Sequence, residues 1–158
     1  MKIKIGKVTT THGLKGEIKI QDNLNDIQRK VIFQVGTNLI IDNKTYTILN
    51  HRIHKNLDMV TLENVKNIDI AISLRGKKVY KEEQDIHLDN QNLLDEQLLS
   101  YIVLTSNQKK GKIKAIEQTG NNYKIFRLLI DKEEILLPYH QDFIVNINQE
   151  TKTITLKL

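Results

Sequence analysis

The sequence predicts an all-β protein: two small β-barrels joined by a short linker, with one short helix in the N-terminal domain. Three observations carry this reading. Apolar residues alternate with polar ones over short runs that end in Asn, Asp or Gly turns. No strand–helix–strand rhythm of a parallel sheet recurs, and only one segment shifts to helical spacing. A polar stretch poor in core residues then divides the 158 residues. The expected domains are a six-stranded barrel over residues 1–82, a linker over 83–92, and a second barrel over 93–158.

Lys2 to Val8 alternates, with Ile3 and Ile5 on one side and Lys2 and Lys4 on the other, which is a half-buried strand. Ile18 and Ile20 resume the pattern after a loop pinned by Gly13 and Gly16. Asp22 to Lys30 is polar and reads as irregular. Phe33, Val35 and Gly36 lead to a strand at Leu39 to Ile41, and Asp42-Asn43-Lys44 turns the chain. Thr45 to His54 is the next strand. Its inward face is either Tyr46/Ile48 or Thr47/Leu49/Ile53, with a bulge able to switch the two. Met59 to Leu62 returns after a turn at Asn56 to Asp58.

Asn67 to Leu74 is the segment of helical spacing. Asn67 caps it, Ile68, Ala71 and Ile72 form the apolar face, and Gly76 follows its end. Lys78 to Tyr80 completes the first set of strands. In the second half, Leu93 to Leu99 forms a single turn or arm. Strands follow at Tyr101 to Thr105, Gly111 to Glu117, Tyr123 to Ile130 and Ile135 to Leu137, the last stopped by Pro138. Thr119-Gly120-Asn121-Asn122 is a strong turn signal. Phe143 to Ile147 and Thr153 to Leu158 form the last hairpin. Closure of this second barrel is expected to remove its edges.

Charge divides the chain as sharply as pattern does. Residues 1–88 carry fifteen Lys/Arg against ten Asp/Glu, and residues 89–158 carry nine of each, so the whole excess of +5 lies in the first half. That asymmetry suits a polyanion such as RNA; the bland alternative is a charge that serves solubility. Absence of cysteine excludes disulfides, thiolate catalysis and zinc–thiolate sites. No signal core or long apolar run is present, so a soluble, cytoplasmic protein with no membrane contact is expected.

The five histidines are the obvious candidates for chemistry. His12 lies in the glycine loop, where it can contact a phosphate or a partner carbonyl, or bond only to its own loop. His51 and His54 lie three apart, which on a strand puts them on opposite faces and removes them as paired ligands. His87 and His140 are isolated. No metalloprotease, hydrolase-elbow or phosphate-loop motif occurs, so no enzyme and no cofactor, metal or small-molecule substrate is expected. Aromatic rings are too sparse in the basic half for base stacking. Phosphate and shape contacts remain open to Lys7, Lys15, Lys19, Arg52 and Lys55; each of these also reads as a lysine or arginine that merely solvates a strand. Leu136-Leu137-Pro138-Tyr139 either closes a barrel or meets a protein partner.

Several of these stretches resemble the RimM family of bacterial ribosome maturation factors. They are Gly6-Lys7-Val8 with Thr11-His12-Gly13-Leu14-Lys15-Gly16-Glu17-Ile18-Lys19-Ile20, then His51-Arg52-Ile53-His54-Lys55 with Leu57, and Leu74-Arg75-Gly76 with Val79. In the second half Gly111-Lys112-Ile113, Glu117-Gln118-Thr119-Gly120-Asn121 and Leu136-Leu137-Pro138 follow the pattern of the PRC-barrel domain. The resemblance implies an N-terminal barrel like those of translation factors and a C-terminal PRC barrel. It implies a non-enzymatic factor that binds the 30S subunit near its head, contacts ribosomal protein S19 and promotes 16S rRNA maturation; the lack of an obvious apolar stripe suits a monomer. It places partner binding on Leu93 and Leu94, and together with the charge and motif reading above the expected partner-binding set also includes His12, Gly13, Lys15, Gly16, Lys19, Arg52, Lys55, Pro138 and Tyr139. Leu93 and Leu94 stand where the family usually has two tyrosines, which removes ring stacking and the hydroxyl. Asn122 stands in place of an aspartate. Two other classes remain: a general basic RNA-binding module, and an RNA-processing hydrolase using His12 and Glu17.

Overall fold

The computed structural model describes every residue except Leu14, Asn121 and Asn122. The expectations for Leu14 and for the Asn121-Asn122 turn lie outside the described residues. The chain forms two compact units, Met1–Leu88 and Asp89–Leu158.

In the first unit, β1 (Lys2–His12) buries Ile3, Ile5 and Val8 while its lysines stay outside. It pairs with β2 (Glu17–Asp22) through a register running from Gly6↔Asp22 to His12↔Glu17. β3 (Asn38–Ile41), β4 (Lys44–His54), β5 (Leu57–Leu62) and β6 (Lys78–Glu82) complete the sheet. The pairing order β1-β2-β5-β4-β3-β6 returns to β1, closing the sheet on itself. Its core is aliphatic: Val8, Ile18, Ile20, Leu39, Ile41, Ile48, Val60 and Val79 are fully buried. Burial of such side chains stabilises by roughly 1.5–3 kcal/mol each.

On β4 it is Ile48 that is buried, while Leu49 and Ile53 are exposed. A register shift against β5 between Ile48 and Asn50 marks the bulge. α2 (Ile68–Ser73) is capped by Asn67, whose Oδ1 accepts from the Ile70 N–H at 3.0 Å. The face it buries is Ala71, followed by Leu74, rather than the predicted Ile72, which remains exposed.

The predicted architecture needs two corrections. The first unit has a second helix, α1 (Asp26–Ile32), in the stretch read as irregular. Asn25 and Gln28 form a reciprocal capping box there, satisfying two of the helix's unpaired N–H groups. The second correction is larger. The second unit is an open sheet of six strands, ordered β10-β9-β8-β7-β12-β11, and no barrel.

Its elements are α3 (Asp95–Leu98), β7 (Ile102–Thr105), β8 (Lys110–Thr119), β9 (Tyr123–Ile130), β10 (Glu133–Pro138), β11 (Ile144–Asn148) and β12 (Thr153–Leu156). β10 pairs with β9 and β11 with β12, and β7 joins the two hairpins by running parallel to β12. Among the described residues nothing pairs β10 to β11, so the sheet keeps two edges. Phe126, Leu128, Val103, Leu98, Ile154 and Leu156 fill the core of this unit.

Candidate functional site

The basic candidates of the first unit converge through pairing rather than through sequence proximity. β1 ends at His12 and β4 at His54, and their imidazole centroids lie 6.2 Å apart with planes tilted by 37°. Lys19 on β2 and Arg52 on β4 are both registered to Met59 of β5, which lies between them. Partial burial, then the charges of Lys55, Arg52, Lys19 and His12, lower the pKa of His54 below its ordinary value. Those four cationic or protonatable groups are the charges that act on this one imidazole.

Glu17 offsets part of this field. Arg52 donates from Nη2 at 2.7 Å and from Nε at 3.0 Å to its two carboxylate oxygens. This bidentate pair raises the Arg52 pKa through the Glu17 hydrogen bonds. It also occupies the carboxylate that a hydrolase would need as a base. Lys15 and Gly13 are exposed in the loop, and Gly16 is buried. Gly13 has φ of +72° and Gly16 of +84°, the left-handed backbone that suits glycine. A Cβ on Gly16 would lie 2.8 Å from the carbonyl oxygens of both Val65 and Asn67. The loop is thus seated on the chain entering α2.

His51 and His54 part company, as residues three apart on a strand should. His51 stacks on Phe33 at 4.8 Å and bonds through Nε2 to Asp58 Oδ1 at 2.6 Å. Asp58 is fully buried, and Arg29 Nε of α1 lies 3.3 Å from its other oxygen. Asp22 completes the cluster, and burial together with the Asp58 hydrogen bond pushes its pKa up to about 8. Sequence reading missed this cluster because its members are scattered over β2, α1, β4 and β5. Among the described residues no group of three or more His, Cys, Asp or Glu is arranged to hold a metal.

In the second unit Leu93 and Leu94 are buried, at 3% and 4% exposure. They pack beneath the surface of this unit, and the partner contact that the resemblance places on them is not presented outward. Leu94 also anchors α3, its N–H donating to Gln97 Oε1 at 3.0 Å and its carbonyl accepting from the Leu98 N–H. Tyr139 is half-buried and stacks on Phe126 at 4.5 Å and 14°. Burial, with Asp95 nearby, pushes its phenol up to about 12. Lys124 lies 5.4 Å over the Tyr139 ring and pairs with Asp95 at 3.0 Å. Pro138 is exposed beside it. Tyr139 also lines a cleft of about 510 Å³ with Asn90, His140, Ile144 and Val145. Among the described residues no helix is long and apolar enough to cross a membrane.

Comparison with known proteins bears on this surface. The sequence profile of the RimM N-terminal domain matches residues 3–86. The ribosome maturation factor RimM of Staphylococcus epidermidis is 30% identical over 99% of this chain and 95% of that protein. The ribosome maturation factor RimM of Staphylococcus aureus matches to the same extent. The crystal structure of the RimM protein of Pseudomonas aeruginosa aligns with 100% of this chain and 98% of that one, at 17% identity and a TM-score of 0.47. With its first unit matched almost throughout by that profile and nearly its whole length shared with curated relatives, the chain belongs to the RimM family.

Proposed function

We propose that the protein is a binding factor for the small ribosomal subunit, acting in 16S rRNA maturation and performing no chemistry of its own. The observation that carries this is the gathering of His12, Lys19, Arg52, His54 and Lys55 around one point of the first unit. Such a cluster on a sheet surface attracts the phosphate backbone, and the exposed Lys15 adds to it. The second unit has no charge excess, and its exposed Pro138, half-buried Tyr139 and adjoining cleft suit a protein surface, for which ribosomal protein S19 is the candidate. Binding promotes maturation only through a preference for the mature arrangement of the 30S head, because equal affinity for both arrangements shifts nothing.

The test is co-sedimentation of the purified protein with separated 30S, 50S and 70S particles at two salt concentrations. The wild type is expected with 30S alone. Lys15→Glu, Lys19→Glu and Lys55→Glu together are expected to weaken that binding at least about tenfold and flatten its salt dependence. Equal binding to every particle and to naked RNA would instead identify a general RNA-binding module. Unchanged binding by a folded triple variant would remove the basic surface from the interface.

A further inference from the structure

We propose that His12 and His54 together form a phosphate-binding subsite that takes up protons when it closes on an RNA backbone. The inference rests on the 30S reading above and adds the ligand chemistry and the pH control of that surface.

The geometry sets this pair apart from His51 and His140. His51 has Asp58 as its partner at 2.6 Å, and His140 has Asp142 at 3.3 Å. Among the described residues no hydrogen bond or ion pair joins His12 or His54 to a carboxylate. Their neighbours are cations: Lys55 follows His54 directly, Arg52 precedes it by two residues on β4, and Lys19 faces it from β2. The nearest carboxylate in the group, Glu17, is committed to Arg52 through two hydrogen bonds. His54 therefore lies in a field that opposes its protonation.

A phosphodiester reverses that field. The imidazoles are 6.2 Å apart and tilted rather than stacked face to face. One phosphate can accept from both ring N–H groups, each at an ordinary distance of about 2.8 Å. Its negative charge favours the protonated form of each ring, and at His54 it opposes the desolvation and the neighbouring cations that lower the pKa in the free protein. Protonation and binding then support one another, and affinity rises as pH falls through the histidine range. The patch offers phosphate capture and no base stacking: Phe33 is buried beneath His51.

The experiment measures affinity for purified 30S subunits at pH 6.0, 6.75 and 7.5, at fixed magnesium and ionic strength. It compares the wild type, His54→Gln, and the double variant His12→Gln/His54→Gln. Both side chains lie outside the core, so glutamine keeps a donor without a packing cost. The wild type is expected to bind roughly tenfold tighter at pH 6.0 than at pH 7.5, a mean uptake of about 0.7 proton per complex over that range. The single variant should lose much of that dependence and the double variant all of it, whatever either loses in affinity at pH 7.5. A flat wild-type profile, or an equal slope in the double variant, overturns the subsite while leaving the 30S reading standing. Absence of wild-type binding at every pH overturns both.

Discussion

Lys81 is fully buried on β6, its Nζ donating to Thr37 Oγ1 at 2.9 Å and to the Asn38 carbonyl at 3.0 Å. Burial pulls its pKa down to about 8 from the ordinary 10.5. Between those values the unfolded chain holds a proton that the folded chain has shed, so stability rises with pH across that window. Below pH 8 the ammonium is charged in both states and the desolvation cost is complete. Lys81→Met removes the charge while keeping most of the volume. Urea midpoints at pH 7.5 and 10 should therefore show the variant's relative stability falling by up to about 2 kcal/mol as the wild type gains what the variant never lost. A constant difference would mean that Lys81 does not titrate in this range. Asp22 runs in the opposite sense. Its folded pKa lies near 8 against an ordinary 3.8, so stability is lost as pH rises between them. Burial also works to raise Asp58, but hydrogen bonds from His51 and Asp22, with the Arg29 charge, hold it below its ordinary value. Asn copies the protonated form of Asp22. Asp22→Asn should gain on the wild type from pH 4 to 8, by up to about 1.4 kcal/mol per pH unit, and level off above. Chemical denaturation at pH 4.5, 6.5 and 8.5 reads this directly, and parallel curves would refute it.

The loop between β1 and β2 offers a prediction at the scale of elements. Gly13 and Gly16 both adopt positive φ, but only Gly16 sits against backbone, with two carbonyl oxygens where a Cβ would go. Gly13→Ala meets the left-handed penalty alone, about 1–2 kcal/mol. Gly16→Ala adds a clash that must displace the chain entering α2, so its loss should be clearly larger, on the order of 3 kcal/mol. Thermal melts of the two variants rank them, and equal melting points would show that the loop is not seated as described. The same scale shows what the sequence discloses. Strands β1, β2 and β12 are legible because Ile, Val and Leu alternate with polar residues along them. α1 is not, because its buried positions are Gln28 and Ile32 while Ile27 is exposed, and Arg29 turns to a buried carboxylate. Its helical period is written in polar residues that a hydrophobicity pattern does not count. The open edges of the second sheet are equally hidden. They depend on β7 running parallel to β12 across most of the unit's length, a long-range choice that no local spacing encodes. His12, Lys19, Arg52 and Lys55 could each be named from sequence as candidates. The part of His54 could not, since it arises only when the ends of β1 and β4 meet.

Over the whole molecule, charge is divided between the units in kind as well as in amount. The fifteen cationic residues of residues 1–88 exceed ten acidic ones, whereas residues 89–158 balance nine with nine. In the second unit the balance is local. Arg127 is held by Glu117 and Glu134, Lys114 by Glu134, Lys124 by Asp95 and Lys109 by Asp131. Such exposed pairs contribute little stability, but they leave the unit little field at a distance. Counterion release should therefore come from the first unit alone. Each phosphate neutralised contributes roughly 0.7 to 0.9 to the slope of log K against log salt. Reversing Lys15, Lys19 and Lys55 should lower the slope of 30S binding by about 2. Reversing the exposed Lys112 and Lys157 of the second unit should weaken binding by less than about threefold and leave the slope unchanged. Filter-binding or sedimentation titrations from 50 to 200 mM salt separate the two cases. If the second pair lowers the slope as much as the first set does, both units lie on nucleic acid, and the division into an RNA-facing unit and a protein-facing unit fails.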